Sequence, residues 1–540
     1  MRRTALPLLM IFGLTAALAP ALRGGTHDKE PQVKFQTSDR CFACHNGMKT
    51  KSGQEFDLGL EWQATAMANS SRDPYWQAGV RRETIDHPES KAAIENECSI
   101  CHMPVARYEA KLQGQLNGVF SHLPFSADPK KNAAAADGVT CSVCHQIGPQ
   151  GLGTPESYVG NFVIDPPKVA GDHAEYGPYA IAGGEQHIMQ SSSGGFQPVP
   201  GKHITESGIC GSCHTLITKP LDANGKEGNN FYEQMPYPEW EHSGYNGKTS
   251  CQACHMPVIP EPTQISSVLG AERTEAAHHT FVGGNFMLSR ILEKYGDELS
   301  AAAQPAQFNQ AVQDALQFLQ TQAARVSLSG VQVQDSKLNA VVKVQNLTGH
   351  KLPTAYPSRR AWLHFVVRDA SGQVVFESGK LRDDGSIAGN DNDDDPLKFE
   401  PHYRTISRWD QVEIFEDIMQ DQAGKPTTGL LQAVSYLKDN RILPGGFDKQ
   451  SAPANIAVVG EAGSDPNFAA GEASVAYSVW VGNAQGPLTI EAELWYQPVG
   501  YRWAHNLLFY NAMEPQRFVR YYDSLAKDGA VRLAHAEATQ

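Results

Sequence analysis

Cys41-Phe-Ala-Cys44-His45, Cys98-Ser-Ile-Cys101-His102, Cys141-Ser-Val-Cys144-His145, Cys210-Gly-Ser-Cys213-His214 and Cys251-Gln-Ala-Cys254-His255 are five copies of one pattern. They use all 10 cysteines of the 540-residue chain. C-x-x-C-H is the spacing at which a c-type haem is attached. Two thiols three residues apart reach the two vinyl groups of one porphyrin. The histidine that follows presents its imidazole to the iron, for which imidazole is a standard axial ligand. The ten cysteines are therefore expected to hold five covalent haems c, with His45, His102, His145, His214 and His255 as metal ligands. Disulfides, the default in an exported protein, need no histidine after each pair. Zinc ribbons use two C-x-x-C pairs per metal and would leave one pair over.

All five motifs lie between residues 41 and 255. So short a chain per cofactor cannot bury each haem in its own apolar core. The haems are expected to supply much of the core and to pack close enough to exchange electrons. Local repeats agree with duplication of a haem unit. Cys98 to Pro104 and Cys251 to Pro257 both read C-x-x-C-H-M-P, and Trp62-Gln-Ala-Thr65 and Trp240-Glu-His-Ser243 both read W-x-x-[ST].

Before the first motif, Arg2-Arg3, an apolar run from Leu6 to Leu18, and Ala19 and Ala21 form the three parts of a secretory signal with cleavage after Ala21. No apolar run long enough to span a bilayer follows. An exported protein, periplasmic or at the cell surface, is expected. The net charge of −14 argues against nucleic acid as a partner.

After the last motif the pattern changes. Residues 301–325 carry apolar positions at helical spacing (Phe308, Val312, Ala315, Leu316, Leu319) and predict a connecting helix. Alternating runs follow, among them Leu338 to Val344, Ala361 to Arg368, Ala473 to Val481 and Leu488 to Tyr496. They predict an antiparallel β-sandwich without a haem of its own. The expected class is α+β in two parts. A signal (1–21) precedes a loop- and helix-rich multihaem domain (22–290), a connecting stretch (291–325), the sandwich (326–500) and a C-terminal extension (501–540). The acidic run 383–395 lacks the EF-hand spacing and reads as a solvated surface loop, with Ca²⁺ binding through its carboxylates as the alternative.

These residues together resemble exported multihaem c-type cytochromes. The group most resembled is that of the tetrahaem cytochromes associated with hydroxylamine oxidation, through the C-H-M-P variants, the Trp-x-x-Ser/Thr frame and Thr348-Gly-His350-Lys-Leu-Pro. The resemblance implies electron transfer, mostly bis-histidine ligation, and redox proteins as partners, such as other cytochromes or a quinol-oxidising complex. Self-assembly is a further expectation. In that group the frame often ends in a distal histidine, where this chain has Met67 and Tyr245. Met67 is taken as a distal ligand of the first haem, with His87 and His122 as replacements. The other distal candidates are His122, His187, His279 and His350. His279 and His350 adjoin glycines that permit close approach of the backbone, and His278 competes with His279. An electron carrier with saturated irons is the leading reading. The alternative is an oxidoreductase acting on a small nitrogen or sulfur oxyanion at one open haem.

Overall fold

From Ala324 onward β-branched and aromatic residues alternate with polar ones, and each such run becomes a strand because one side of it can be buried. The computed structural model describes residues 34–125, 131–167, 172–482 and 484–540, so the expected signal peptide lies outside the described residues. The strands are β1 (Ala324–Gln334), β2 (Lys337–Asn346), β3 (Arg360–Arg368), β4 (Val374–Ser378), β5 (Thr405–Ile406), β6 (Ile414–Phe415), β7 (Phe468–Ala469), β8 (Glu472–Trp480), β9 (Thr489–Gln497) and β10 (Val531–Thr539). One sheet runs β5-β8-β2-β1 with β7 on β8, and the other runs β4-β3-β9-β10 with β6 on β3. The short β5–β8 pair is parallel and the remaining pairs of these two sheets are antiparallel. Alternate side chains of β2 (Leu338, Ala340, Val342, Val344) and β8 (Ala473, Val475, Tyr477, Val479) meet those of β9 (Ile490, Ala492, Leu494, Tyr496) in one core. Burial stabilises by about 1.5–3 kcal/mol for each large apolar side chain.

The last forty residues are not an extension. β10 pairs with β9 along its length and completes the second sheet. The preceding helix, Met513–Asp523, packs on the half that bears the C-x-x-C-H motifs through a bidentate pair between Arg81 and Glu514, at 2.8 and 2.9 Å. In the acidic run Asp383, Asp384, Asp391 and Asp394 are exposed as expected, while Asp393 departs from that. Asp393 is buried and pairs with Arg360 at 2.7 Å, while its second oxygen accepts the Ile387 N–H at 2.8 Å.

In the first half the helices include α1 (Pro74–Asp86), α2 (Lys91–His102) and α3 (Gly183–Ser193), followed by α4 (Phe286–Leu299), α5 (Pro305–Gln322) and α6 (Met513–Asp523) toward the second. Asp73 caps α1 by accepting from the Tyr75 and Trp76 N–H groups, with Pro74 in the first turn. The connecting helix α5 starts at a proline with a capping box between Gln304 and Gln307, and it buries Phe308, Val312, Ala315 and Leu319 as its spacing predicts. Although Glu61 to Ser70 reads as helical and apolar in sequence, the helix there covers only Leu58–Gln63 and turns follow. The apolar clusters of this half are small. One gathers Val80, Ile94, Met103, Ala106, Val119 and Ala135. They surround a cavity rather than fill a core. Among the described residues no helix is long and apolar enough to cross a membrane.

Candidate functional site

All ten motif cysteines and all five motif histidines line one connected cavity of about 1810 Å³. Each motif lies in or at the end of a helical segment, such as Cys141–Cys144, Cys251–His255 and the end of α2. Helical spacing places residues i and i+3 on one face, so both thiols of a motif point into the cavity. The cysteines are all free.

Thiols of different motifs adjoin. Cys41 is a close electrostatic neighbour of Cys141, Cys101 of Cys213, and Cys210 of Cys251. Cys144 is also close enough to Cys213 to be raised by it after burial. The first motif therefore neighbours the third, and the third neighbours the fourth. The fourth is a junction that also touches the second and the fifth.

Four of the five motif imidazoles share one tautomer. The Nδ1–H of His45 donates to the Ile265 carbonyl at 2.7 Å, His102 to Ser70 at 3.0 Å, His145 to Tyr176 at 2.6 Å and His255 to Val282 at 2.6 Å. That leaves Nε2 with its lone pair toward the cavity, the usual way a backbone carbonyl orients a metal-binding histidine. Burial pushes His102 and His214 down to about 4, so both stay neutral at neutral pH. The neutral form is the one that binds metal.

Two further imidazoles face motif histidines. The ring centres of His145 and His279 are 6.4 Å apart with planes inclined by 17°, and those of His255 and His350 are 6.3 Å apart and inclined by 15°. A metal–imidazole bond is about 2.0–2.1 Å, so two imidazoles sharing one metal place their ring centres about 6.3 Å apart. His279 and His350 also donate Nδ1–H to carbonyls, of Ala277 at 3.2 Å and Lys351 at 2.9 Å, and burial pushes both down to about 4. His278 is held by Glu61 at 2.6 Å, which decides between the two adjacent histidines. This donor set and spacing suit an iron porphyrin held by two histidines at the third and fifth motifs.

The remaining candidates fall elsewhere. His187 is exposed on α3, whose cavity face carries Glu185, Ile188, Met189 and Ser192 instead. His122 bonds Asn117 at 2.9 Å through Nε2 and does not line the cavity. Neither of these two lines the cavity, since residue type and distance along the chain do not say which side of a helix faces inward. His87 is buried with an unpartnered Nε2 but also stands off the cavity wall. Met67 does line the cavity. Its backbone carbonyl accepts the Val139 N–H at 3.0 Å, and Gly138, at φ 60°, presses so close that a Cβ there would meet that oxygen at 2.5 Å.

The Trp-x-x-Ser/Thr frame has a role that the sequence did not announce. Trp62 Nε1 donates to the Val139 carbonyl at 3.2 Å and Trp240 Nε1 to the Thr249 carbonyl at 2.9 Å. In each case the acceptor lies two residues before a motif cysteine, Cys141 and Cys251. Tyr245, at the end of the second frame, donates its hydroxyl to the Leu347 carbonyl at 2.8 Å and so helps hold the turn that bears His350. That turn is further fixed by Lys351, whose side chain is 0% exposed and reaches Asp439 at 2.6 Å. Arg441 joins Asp439, Asp417 and Glu239 at 2.8, 3.3 and 3.1 Å. Burial alone would raise Asp439, but Arg441 and Lys351 hold it down to about 2. Sequence spacing gave no signal for this network, because its members come from four separate segments.

A penta-haem cytochrome c552 from Thermochromatium tepidum is similar to this chain, with a TM-score of 0.52 and 15% identity over 94% of this chain and 99% of that one. The two share a fold. No family model matches the chain, and no curated protein matches it.

Proposed function

We propose that the protein is an exported multihaem c-type cytochrome that carries electrons through five covalently bound haems. The observation that carries this reading is the single cavity lined by all five motifs, in which thiols of different motifs adjoin. Thioether bonds at such neighbouring cysteines bring porphyrin edges together. Haems held there would stand in the order 1–3–4, with branches from 4 to 2 and to 5. The fold shared with a penta-haem cytochrome supports the same reading. Haems bound there would supply redox change at iron; the chain would fix their order and orient His45, His102, His145 and His255 by their Nδ1 bonds. The partners in this reading are other redox proteins, such as cytochromes or a quinol-oxidising complex, in the periplasm or at the cell surface. Kinship with the tetrahaem cytochromes of hydroxylamine oxidation rests on sequence alone, through the C-H-M-P variants, the Trp-x-x-Ser/Thr frame and Thr348-Gly-His350-Lys-Leu-Pro.

One observation favours a second reading, an oxidoreductase of a small nitrogen or sulfur oxyanion. Among the described residues no histidine ring faces His45, His102 or His214 as His279 and His350 face their partners, and His102 is instead stacked on Trp76 at 4.5 Å. An iron without a second protein ligand binds substrate. The ferric spectrum of the holoprotein separates the two. Low-spin haem throughout supports the carrier, and a high-spin band near about 620 nm, as an open or water-bound iron gives, supports the enzyme.

A further inference from the structure

Glu233 is a buried carboxyl that haem attachment leaves unused. It lies on the strand Phe231–Gln234, which pairs antiparallel with Leu216–Thr218, just after Cys213-His214. It is 2% exposed and lines the motif cavity. Its Oε1 accepts from Gln234 at 3.2 Å, whereas Oε2 has no hydrogen-bond partner. Neighbouring acids are provided for. Glu83 on α1 accepts the Leu430 and Leu431 N–H groups at 2.8 and 3.2 Å beside Arg82, and Asp417 pairs with Arg441 at 3.3 Å. Tyr436 faces the strand from Ser435–Asp439 and donates to the Glu233 carbonyl at 3.3 Å, and Tyr356 feels both Glu83 and Glu233. Burial, then Glu83 and Asp417, push Glu233 up to about 7 against the lowering by Gln234 and Thr218. Glu83 and Glu233 also act on the Cys98 thiol, which places the carboxyl between the second and fourth motifs.

We propose that Glu233 is the proton acceptor coupled to reduction at this junction, taking up one proton as an electron enters and releasing it as the electron leaves. The proposal rests on the electron-carrier reading. The donor redox protein loses one electron, one ferric iron becomes ferrous, and Glu233 goes from carboxylate to carboxylic acid with a proton from solvent. The charge of the junction is then unchanged. The driving force is electrostatic, since added negative charge in a low-dielectric interior acts strongly on an ionised carboxylate beside it. Below the oxidised-state value Glu233 is protonated in both redox states, and above the reduced-state value it is ionised in both. The coupling is confined to the window between, which opens near pH 7.

The test is a spectroelectrochemical titration of the intact holoprotein between about pH 5 and 9, wild type against Glu233→Gln. Asp73→Asn and Asp417→Asn serve as comparisons, because Asp73 and Asp417 are also raised, to about 6 and about 7. In the wild type one midpoint potential is expected to fall tenfold in equilibrium per pH unit within the window, about 59 mV. Glu233→Gln removes that slope with haem content unchanged. The proposal is overturned if the slope survives in Glu233→Gln, or if only Asp73→Asn or Asp417→Asn removes it. In the wild type itself, a reduced-minus-oxidised infrared spectrum should gain a protonated-carboxyl band, and its absence also overturns the proposal. A chain without covalent haem would overturn the electron-carrier reading instead; five haems with pH-independent potentials would overturn this proposal alone.

Discussion

His350 stands in a turn whose every neighbour holds it. Asn346 Nδ2 and Thr348 Oγ1 donate to its carbonyl at 2.9 and 2.8 Å, and Tyr245 and Trp240 pack where Gly349 leaves no side chain. Its ring then faces His255. Replacing His350 by Ala is expected to convert one of the haems to high spin, read by electron paramagnetic resonance, whereas His187→Ala leaves the spectrum unchanged. If both variants match the wild type, His350 is not a ligand. Met67 belongs to the same scale. As axial ligand of the first haem, its thioether stabilises ferrous iron relative to imidazole. Met67→His is then expected to lower one potential and to remove a weak near-infrared band; an unchanged set of potentials would show Met67 to be wall packing. The place of His279 and His350 on the cavity wall was legible in part, because Gly349 precedes His350 and Gly283 and Gly284 follow His279 closely. His122 and His187 were not separable from them, since face and burial follow from helix rotation, which chain position does not encode.

The strand and turn elements are set by charges that the core encloses. Lys351, Asp439, Arg441, Asp417 and Glu239 tie the His350 turn, the strands 417–420 and 435–439, and the helix Pro236–Glu241 into one unit. Removing one partner of a buried ion pair costs about 3–5 kcal/mol. Lys351→Ala is therefore expected to lower stability by that amount in thermal melts and to shift the same haem as His350→Ala. Loss of neither would show the network to be incidental. His402 tests the sandwich by pH. It lies between Glu413 at 2.8 Å and Asp465 at 3.0 Å. Burial lowers its pKa, but the two carboxylates outweigh burial and raise it. A raised folded value means the stabilisation is complete below the unfolded value of about 6.5 and is lost as pH rises through the folded one. Denaturation followed across that range should show stability falling with pH in the wild type and a flatter profile in His402→Gln. Strand existence was readable from alternation, and α5 from its spacing. The ion-paired turn was not, because a buried Lys among Asp and Glu looks like surface until the fold closes over it.

At the scale of the molecule the chain returns on itself. β10 completes the sheet that β3 and β9 begin, and α6 crosses back to α1. A fragment ending at residue 500 would lack β10 and expose the β9 edge, so residues 324–540 made without haem are expected to melt cooperatively and 324–500 to melt lower or not at all. The expected boundary at 501 missed this because a terminal strand carries no mark of which sheet edge it will cover. The motif half has the opposite character. Its apolar clusters ring a cavity of about 1810 Å³ lined by every C-x-x-C-H motif. Ordering that backbone costs on the order of 1–2 kcal/mol per residue, and in the proposed reading five porphyrins would supply the contacts that offset it. The intact mass of the mature holoprotein under denaturing conditions tests this most directly. The account predicts the polypeptide plus five haems that no denaturant removes, and a fully matured chain carrying four or fewer would contradict it.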